Sequence, residues 1–173
     1  MKHTLADIPE NAVTPAGRTE DDPALAETAC FLRIVARTSR AVVAAYDPVL
    51  QPHGLTGHQY NLMTTLKNTG PLTVGELGIQ LGMDPSGVPR AIRPLNEAGW
   101  VDVARGEDRR KRVLSITDAG QAVLDKAYPD WLAMQTRMVE RVGSERWVNL
   151  MSDLDDVRRS ANRMGRERPN TRR

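Results

Sequence analysis

Residues 73–120 read TVGELGIQLGMDPSGVPRAIRPLNEAGWVDVARGEDRRKRVLSITDAG, and this stretch decides the fold. Thr73 and Glu76 stand three residues apart, which is the spacing of a capping box at the start of a helix. Gly82 suits the end of that helix, because glycine adopts the left-handed conformation of a helix C-terminus without strain. The stretch therefore opens with a short helix that ends in a tight turn.

A second helix is predicted after this turn, although Pro85, Pro89 and Pro94 fall within the segment. An interior proline costs a helix about 3 kcal/mol, because it removes a backbone N–H donor. If Ser86 is the N-cap, Pro89 takes the third helical position, where the N–H has no partner within the helix. We therefore expect the helix to begin at Ser86, to bend at Pro94 and to be closed by Gly99.

Two short strands are predicted next, over Trp100–Ala104 and Val113–Ile116, because β-branched residues are enriched there. The loop between them, 105–112, carries five basic and two acidic side chains. Helix, turn, helix and basic hairpin in this order describe a winged helix-turn-helix. One helix of this motif fits the major groove of duplex DNA, and the negative potential of a minor groove attracts arginine.

Two further helices are predicted before this stretch. The first runs roughly over 26–46 and ends before Pro48, which cannot continue the backbone hydrogen bonds. The second begins at Thr56, which forms another capping box with Gln59.

Two more helices are predicted after the hairpin. Thr117 is the expected N-cap of a long helix that ends at about Val142, and a last helix runs from Ser144 to about Met164. Apolar residues recur in the last helix at Trp147, Leu150, Met151, Leu154 and Val157. They form one continuous stripe, which needs a partner surface on this chain or on a second copy.

Composition excludes several classes of protein. The 173 residues hold one cysteine and three histidines, which excludes a disulfide framework and leaves little for a metal centre. The formal net charge is +2, so binding to nucleic acid depends on local basic patches. No apolar run is long enough to span a membrane, and the N-terminus lacks a secretory signal. No catalytic triad, phosphate-binding loop or metal-ligand spacing occurs, so we expect a cytoplasmic protein that is not an enzyme and needs no cofactor or metal.

Together these motifs resemble the multiple-antibiotic-resistance regulator (MarR) family of bacterial transcription factors. The likeness covers roughly residues 28–160. It rests on LTVGELG at 72–78, LGMD at 81–84, RPLNEAGWV at 93–101, the segments 46–48 and 54–56, and the hairpin DRRKRVLSITDAG at 108–120, which matches the family's Asp-x-Arg and Leu-Thr-x-x-Gly pattern.

The resemblance implies a mainly α fold with a small β wing, in which a winged helix-turn-helix lobe joins a helical dimerisation domain. Residues 25–164 would form the MarR-like domain, with the DNA-binding lobe at about 50–117 and the dimerisation helices at about 25–47 and 118–164. Composition, and not the resemblance, predicts a disordered or flexible arm over 1–24, which holds three prolines and few apolar residues, and a basic tail over 165–173. The implied assembly is a homodimer on a pseudo-palindromic double-stranded operator.

By the same resemblance, Arg110 enters the minor groove while Asp108 holds its guanidinium in place. Pro89 departs from the family, which usually has a hydrogen-bonding residue there; proline offers only apolar contact, as with a thymine methyl. The expected DNA contacts are Ser86, Gly87, Pro89, Arg90, Arg93, Asp108, Arg109, Arg110 and Arg112.

The resemblance also implies regulation by a small molecule, because many members bind aromatic or lipophilic compounds in a cleft between the two domains. The expected function is transcriptional repression that such a ligand relieves. The residues expected to line the cleft are Arg37, Tyr46, His58, Met63, Trp131 and Met134.

Two alternatives stay open. Cys30-Phe31 is similar to a peroxide-sensing branch of the family that uses one cysteine in the first helix, but Ala36 and Gly57 stand where that branch has two tyrosines. The second alternative is a winged-helix interaction module without DNA binding, which the three prolines of the second helix of the motif would favour.

Overall fold

The computed structural model describes residues 30–106, 108 and 110–166. The arm expected at 1–24, Arg109 and most of the tail expected at 165–173 lie outside the described residues. The described chain is mainly helical with one small sheet, which confirms the expected fold class. In chain order the elements are α1 (Phe31–Leu50), a 3₁₀ turn (Gln51–His53), α2 (Gly57–Thr69), β1 (Leu72–Thr73), α3 (Val74–Leu81), α4 (Val88–Glu97), β2 (Val101–Arg105), β3 (Arg112–Ile116), α5 (Asp118–Val142) and α6 (Ser144–Arg166).

The sheet has three antiparallel strands in the order β1-β3-β2. The hairpin register runs from Val101 opposite Ile116 to Arg105 opposite Arg112, so the strands extend one residue closer to the loop than the sequence predicts. The sequence did not predict β1, whose Leu72 pairs with Leu114. This strand ties the start of α3 to the central strand of the sheet.

One core joins the helices of the winged lobe to the sheet and to α5. Its centre is formed by side chains with at most 3% exposure, namely Leu50, Leu55, Leu62, Met63, Leu66, Leu77, Val88, Ile92, Leu95, Val101, Leu114, Leu124 and Ala127. As far as its side chains are described, α6 contributes no residue to this core. The winged lobe therefore shares one apolar centre with Leu50 of α1 and with Leu124 and Ala127 of α5, whereas the described side chains of α6 lie outside it.

The predicted end of α1 is wrong, because the helix continues through Pro48 to Leu50. A proline in the last turn removes only one backbone donor, and Leu50 is 1% exposed in the core. Burial of this leucine offsets the missing hydrogen bond, since burying a leucine side chain stabilises a protein by about 2 kcal/mol.

The predicted start of α4 is also wrong, because Gly87 and not Ser86 is the N-cap. Residues 84–87 form a turn in which the N–H of Gly87 donates to the carbonyl of Asp84 at 2.9 Å. Asp, Pro and Gly at its first, second and fourth positions are the residues that a type I turn favours. Helix α4 therefore begins two residues later than Ser86, and Pro89 falls at its second residue, where it breaks no helical hydrogen bond.

The other helix boundaries follow their local signals. Thr56 with Gln59 and Thr73 with Glu76 form complete capping boxes, as predicted. Thr117 accepts a hydrogen bond from Gly120 at the start of α5. The two residues of each pair stand three positions apart in the chain, so the sequence alone predicts these caps.

Protonation of Glu76 should destabilise the start of α3. The Glu76 carboxylate accepts hydrogen bonds from the backbone N–H and the hydroxyl of Thr73, both at 2.7 Å. These bonds, with a smaller contribution from Lys111, lower the pKa of Glu76 from its ordinary value of 4.5. Because the folded-state pKa is depressed, the stabilisation is present above pH 4.5 and is lost as pH falls through the folded pKa.

Urea denaturation of the wild type and of Glu76→Gln at successive pH values measures this effect. The stability difference between the two proteins should be constant near neutral pH and should shrink in the acid range. A difference that does not change with pH would contradict the assignment, since glutamine cannot titrate.

Candidate nucleic-acid interface

Helix α4 has one buried face and one exposed face. Val88, Ile92 and Leu95 are buried at helical spacing and anchor the helix to the core. Pro89, Arg90, Arg93 and Glu97 are exposed, so three of the expected contact residues share the outer face of one rigid helix.

The turn before α4 is held by an aspartate that the sequence analysis did not single out. The carboxylate of Asp84 accepts hydrogen bonds from the Ser86 hydroxyl and, at 2.8 Å, from the Ser86 backbone N–H. These bonds lower the pKa of Asp84, with the hydroxyl as the main cause. Ser86 is exposed, but its hydroxyl proton is already engaged, so it meets another molecule mainly as an acceptor.

Arg93 forms an ion pair on the exposed face of α4. Its Nε lies 2.8 Å from Oε1 of Glu97, and the two side chains are 78% and 63% exposed. Pairs of this exposure contribute at most about 0.5 kcal/mol, so a phosphate could replace the glutamate as the partner of Arg93.

The hairpin presents a cluster of exposed basic side chains, which we call the wing cluster: Arg105, Arg110, Lys111 and Arg112. Its loop closes through the N–H of Gly106, which donates to the carbonyl of Lys111 at 3.0 Å. Arg105 and Lys111 were not among the expected contacts, although the charge of the loop could have indicated them. Arg109 lies outside the described residues.

Asp108 contacts Arg110 in a different way from the one the resemblance implies. Its Oδ1 accepts a hydrogen bond from the backbone N–H of Arg110 at 3.1 Å. In the structure Asp108 therefore shapes the loop backbone, and its expected contact with the guanidinium of Arg110 stays a prediction.

A cleft lies between α1, α2 and α5, and Leu81 at the end of α3 forms part of its wall; we call it the interhelical cleft. It encloses about 440 Å³, within the range of small-molecule sites. Of the six residues expected to bind a ligand, Tyr46, His58 and Trp131 line it. Met63 is fully buried in the core, and Arg37 and Met134 are not among the lining residues.

The remaining lining residues include Ser39, Asn61 and Thr64, which the sequence analysis missed. They lie on α1 and α2, and only the packing of these two helices brings them together. Helical periodicity could have suggested Asn61 and Thr64, which stand three and six residues after His58 on α2.

Cys30 is exposed and is the N-cap residue of α1. Among the described residues, no group of His, Cys, Asp and Glu side chains is arranged to hold a metal ion. None of the helices in the described ranges is long and apolar enough to cross a membrane.

The chain matches known proteins in both sequence and fold. A sequence model of the MarR family matches residues 55–112, which run from two residues before α2 to the first residue of β3. The chain is 31% identical over 81 residues to the HTH-type transcriptional regulator YwoH of Bacillus subtilis. The matched stretch covers 47% of this chain and 59% of YwoH. It is 30% identical over 107 residues to an HTH-type transcriptional regulator of Mycobacterium leprae, covering 60% of this chain and 67% of the relative.

The fold extends this likeness beyond the winged lobe. The crystal structure of the M. tuberculosis transcriptional regulator MosR in complex with DNA has a TM-score of 0.72 and 27% sequence identity, and the match covers 79% of this chain and 98% of MosR. The matched sequence model, the similar regulators and the order of helices and hairpin all point to one family. The chain belongs to the MarR family of transcriptional regulators.

Proposed function

We propose that this protein is a cytoplasmic, homodimeric transcriptional repressor that binds a pseudo-palindromic DNA operator and is released by a small lipophilic or aromatic ligand. The observation that carries the proposal is the exposed face of α4, which presents Arg90 and Arg93 while its other face is buried in the core. The wing cluster supplies further positive charge. The DNA that accompanies MosR in its crystal structure supports the same use of the shared fold.

Helix α4 offers a short set of contacts to a major groove. Arg90 has the geometry to donate two hydrogen bonds to a guanine, which is the commonest base-specific contact of arginine. Pro89 precedes it and can only make apolar contact, as with a thymine methyl group. Arg93 can leave Glu97 for a phosphate, so it would contribute affinity rather than sequence specificity.

The apolar faces outside the core support a homodimer. Exposed apolar residues occur on α1 and on α6, including Phe31, Leu32, Ile34, Val148, Leu150, Met151, Leu154 and Met164. Tyr128 and Leu132 on α5 are exposed as well. Large exposed apolar patches mark interaction sites. We propose that α1, α5 and α6 form the dimerisation domain and that residues of about 50–117 form the DNA-binding lobe.

The interhelical cleft gives a route from ligand to DNA. Tyr46 and Trp131 belong to α1 and α5 of the proposed dimerisation domain, whereas Leu81 is the last residue of α3 and precedes the turn into α4. A ligand that separates these walls would move α4 relative to the dimer. Two lobes displaced in this way no longer match successive major grooves.

Selection of bound sites from a random duplex library tests the proposal. We expect two half-sites about 10 base pairs, or a multiple of that, apart. Affinity should fall steeply with salt, since each phosphate contact releases counterions. A protein that binds no duplex even at low salt would be an interaction module instead, which is the alternative that the prolines of α4 leave open.

Arg110→Ala should weaken operator binding several-fold without changing the fold or the dimer. Arg110 is exposed at the tip of the hairpin, so its loss removes one groove contact and no packing. The slope of the logarithm of affinity against the logarithm of salt concentration should also become shallower by about 1 if Arg110 contacts a phosphate. Gel-shift titration at several salt concentrations measures both quantities.

Arg137→Ala is the matched control, because it removes the same charge from an exposed position on α5. Equal affinities for the wild type and Arg110→Ala would remove the wing from the mechanism. An equal loss in both variants would show that only net charge matters.

A further inference from the structure

Helix α5 has a weak point at Pro129. Proline has no backbone N–H, so the helical hydrogen bond to the carbonyl of Asp125, four residues earlier, is missing. Leu124 and Ala127, which are buried in the core of the winged lobe, precede this point. Gln135 follows it and accepts a hydrogen bond from α1. Because helices bend at prolines, Pro129 separates the part of α5 that packs in the lobe from the part that packs in the proposed dimerisation domain.

A hydrogen bond joins the part of α5 after Pro129 to the turn that enters the lobe. Nε2 of His53 lies 2.7 Å from Oδ2 of Asp130. A carboxylate only accepts, so Nε2 is the donor. His53 ends the 3₁₀ turn between α1 and α2, and its imidazole is largely buried. The bond therefore ties together the two segments of chain, the turn and α5, that connect the proposed domains.

A second ion pair lies before Pro129. Nζ of Lys67, on α2, is 2.8 Å from Oδ1 of Asp125. This pair joins α2 to the part of α5 that already packs in the lobe, so it does not cross the weak point. The side chains of Asp125 and Asp130 are each 59% exposed. The two carboxylates are therefore closely matched, and only Asp130 makes its contact across Pro129.

A pair of stacked rings also crosses the weak point. The rings of Trp131, on α5, and Tyr60, on α2, have their centroids 5.7 Å apart. Stacked rings attract each other over a range of offsets, whereas a hydrogen bond weakens steeply as its angle changes. The stack therefore holds the two parts together, and the bond between His53 and Asp130 fixes the angle between them.

Building on the function proposed above, we propose that His53 and Asp130 are positioning residues that set the spacing of the half-sites that the dimer accepts. Their bond holds each lobe at one angle to the dimerisation domain, and the distance between the two copies of α4 follows from that angle. One added base pair moves the half-sites apart by about 3.4 Å and rotates one of them by about 35° around the duplex axis. A dimer with fixed lobes cannot follow this change.

Gel-shift titration on a series of duplexes tests this inference. The series holds the selected operator, the same operator with one base pair added or removed between its half-sites, and a single half-site. The wild type should lose at least about tenfold in affinity when the spacing changes, because only one of two linked lobes then reaches its half-site. His53→Ala and Asp130→Ala should each lose at most about threefold, because their lobes adjust to the new spacing. All three proteins should bind the single half-site within about twofold of each other, since the contacts of α4 and of the wing cluster remain.

Asp125→Ala is the matched control, because it removes an equally exposed carboxylate from the same helix and leaves the bond across Pro129 intact. It should keep the spacing preference of the wild type. The double variant of His53→Ala and Asp130→Ala should behave like either single variant, since both changes remove one bond.

Two results would contradict the positioning role: a spacing preference as sharp in Asp130→Ala as in the wild type, or an equal relaxation in Asp125→Ala. In both cases tight binding of the selected operator by the wild type leaves the proposed function standing. A wild type that binds no operator overturns both.

Discussion

Gly120→Ala is expected to lower the free energy of unfolding by about 3 kcal/mol, although it adds one methyl group. A Cβ atom at Gly120 would lie 2.2 Å from the carbonyl oxygen of Trp100 and 3.0 Å from Cγ1 of Ile116. The first distance is far inside van der Waals contact, so the backbone of α5 or of Trp100 must move.

The surrounding hydrogen bonds oppose that movement. The same Trp100 carbonyl accepts the N–H of Thr117 at 3.0 Å, and the Thr117 hydroxyl donates to the carbonyl of Gly99 at 2.7 Å. The N–H of Gly120 donates to Oγ1 of Thr117 at 3.0 Å. A shift that relieves the clash therefore disrupts the cap of α5 and its attachment to the base of the hairpin.

Urea denaturation at a fixed protomer concentration measures the effect, because a dimer makes the midpoint depend on concentration. Gly75→Ala is the matched control: it lies at the second position of α3, and a Cβ there meets nothing within 4 Å. The free energy of unfolding of the Gly75→Ala control should be unchanged or should rise by up to about 1 kcal/mol, since alanine is the better helix former. A Gly120→Ala midpoint equal to that of the wild type would show that this junction is not closely packed.

The sequence predicted the features that depend on neighbouring residues. Both capping boxes and the Thr117 cap involve side chains three residues from their partners, so their chemistry is visible in the chain itself. The predicted start of α4 was wrong because Asp84, Ser86 and Gly87 all suit a helix N-terminus. In the structure Asp84 and Pro85 belong to a turn that precedes the helix. Local propensity does not show whether such residues form a turn or cap the helix.

The features that the sequence missed depend on distant packing. Strand β1 has two residues, and its partner strand lies about forty residues further along the chain, so no periodic pattern marks it. Gly120 belongs to a motif that the sequence shows, but the reason for a glycine there is the carbonyl of Trp100. The cleft needs the faces of α1 and α2 to meet, which is why Met63 was expected in it and is buried in the core instead.

Leu154→Glu is expected to convert the proposed dimer into single chains and to weaken operator binding by about 100-fold or more. Leu154 is 46% exposed and lies between Met151 and Val157 on the predicted stripe of α6, so in one chain the change removes little packing. In a dimer the same change would bury a carboxylate against apolar side chains, which is unfavourable unless the charge is paired. Two linked lobes bind two half-sites with an avidity of about 10²–10⁴ over one lobe, and a single chain loses that gain.

Asn149→Glu is the control, because it adds the same charge to an exposed position on the opposite face of α6. Sedimentation velocity should show a dimer for the wild type and for Asn149→Glu but a single chain for Leu154→Glu, with equal helical content by circular dichroism. Gel-shift titration on a full operator and on one half-site then separates the loss of avidity from a loss of DNA contacts. Leu154→Glu should bind the full operator much more weakly than the wild type does, whereas the two proteins should bind one half-site with similar affinity. A wild type that sediments as a single chain would overturn the dimer. A Leu154→Glu variant that stays dimeric would place the interface elsewhere than on the stripe of α6.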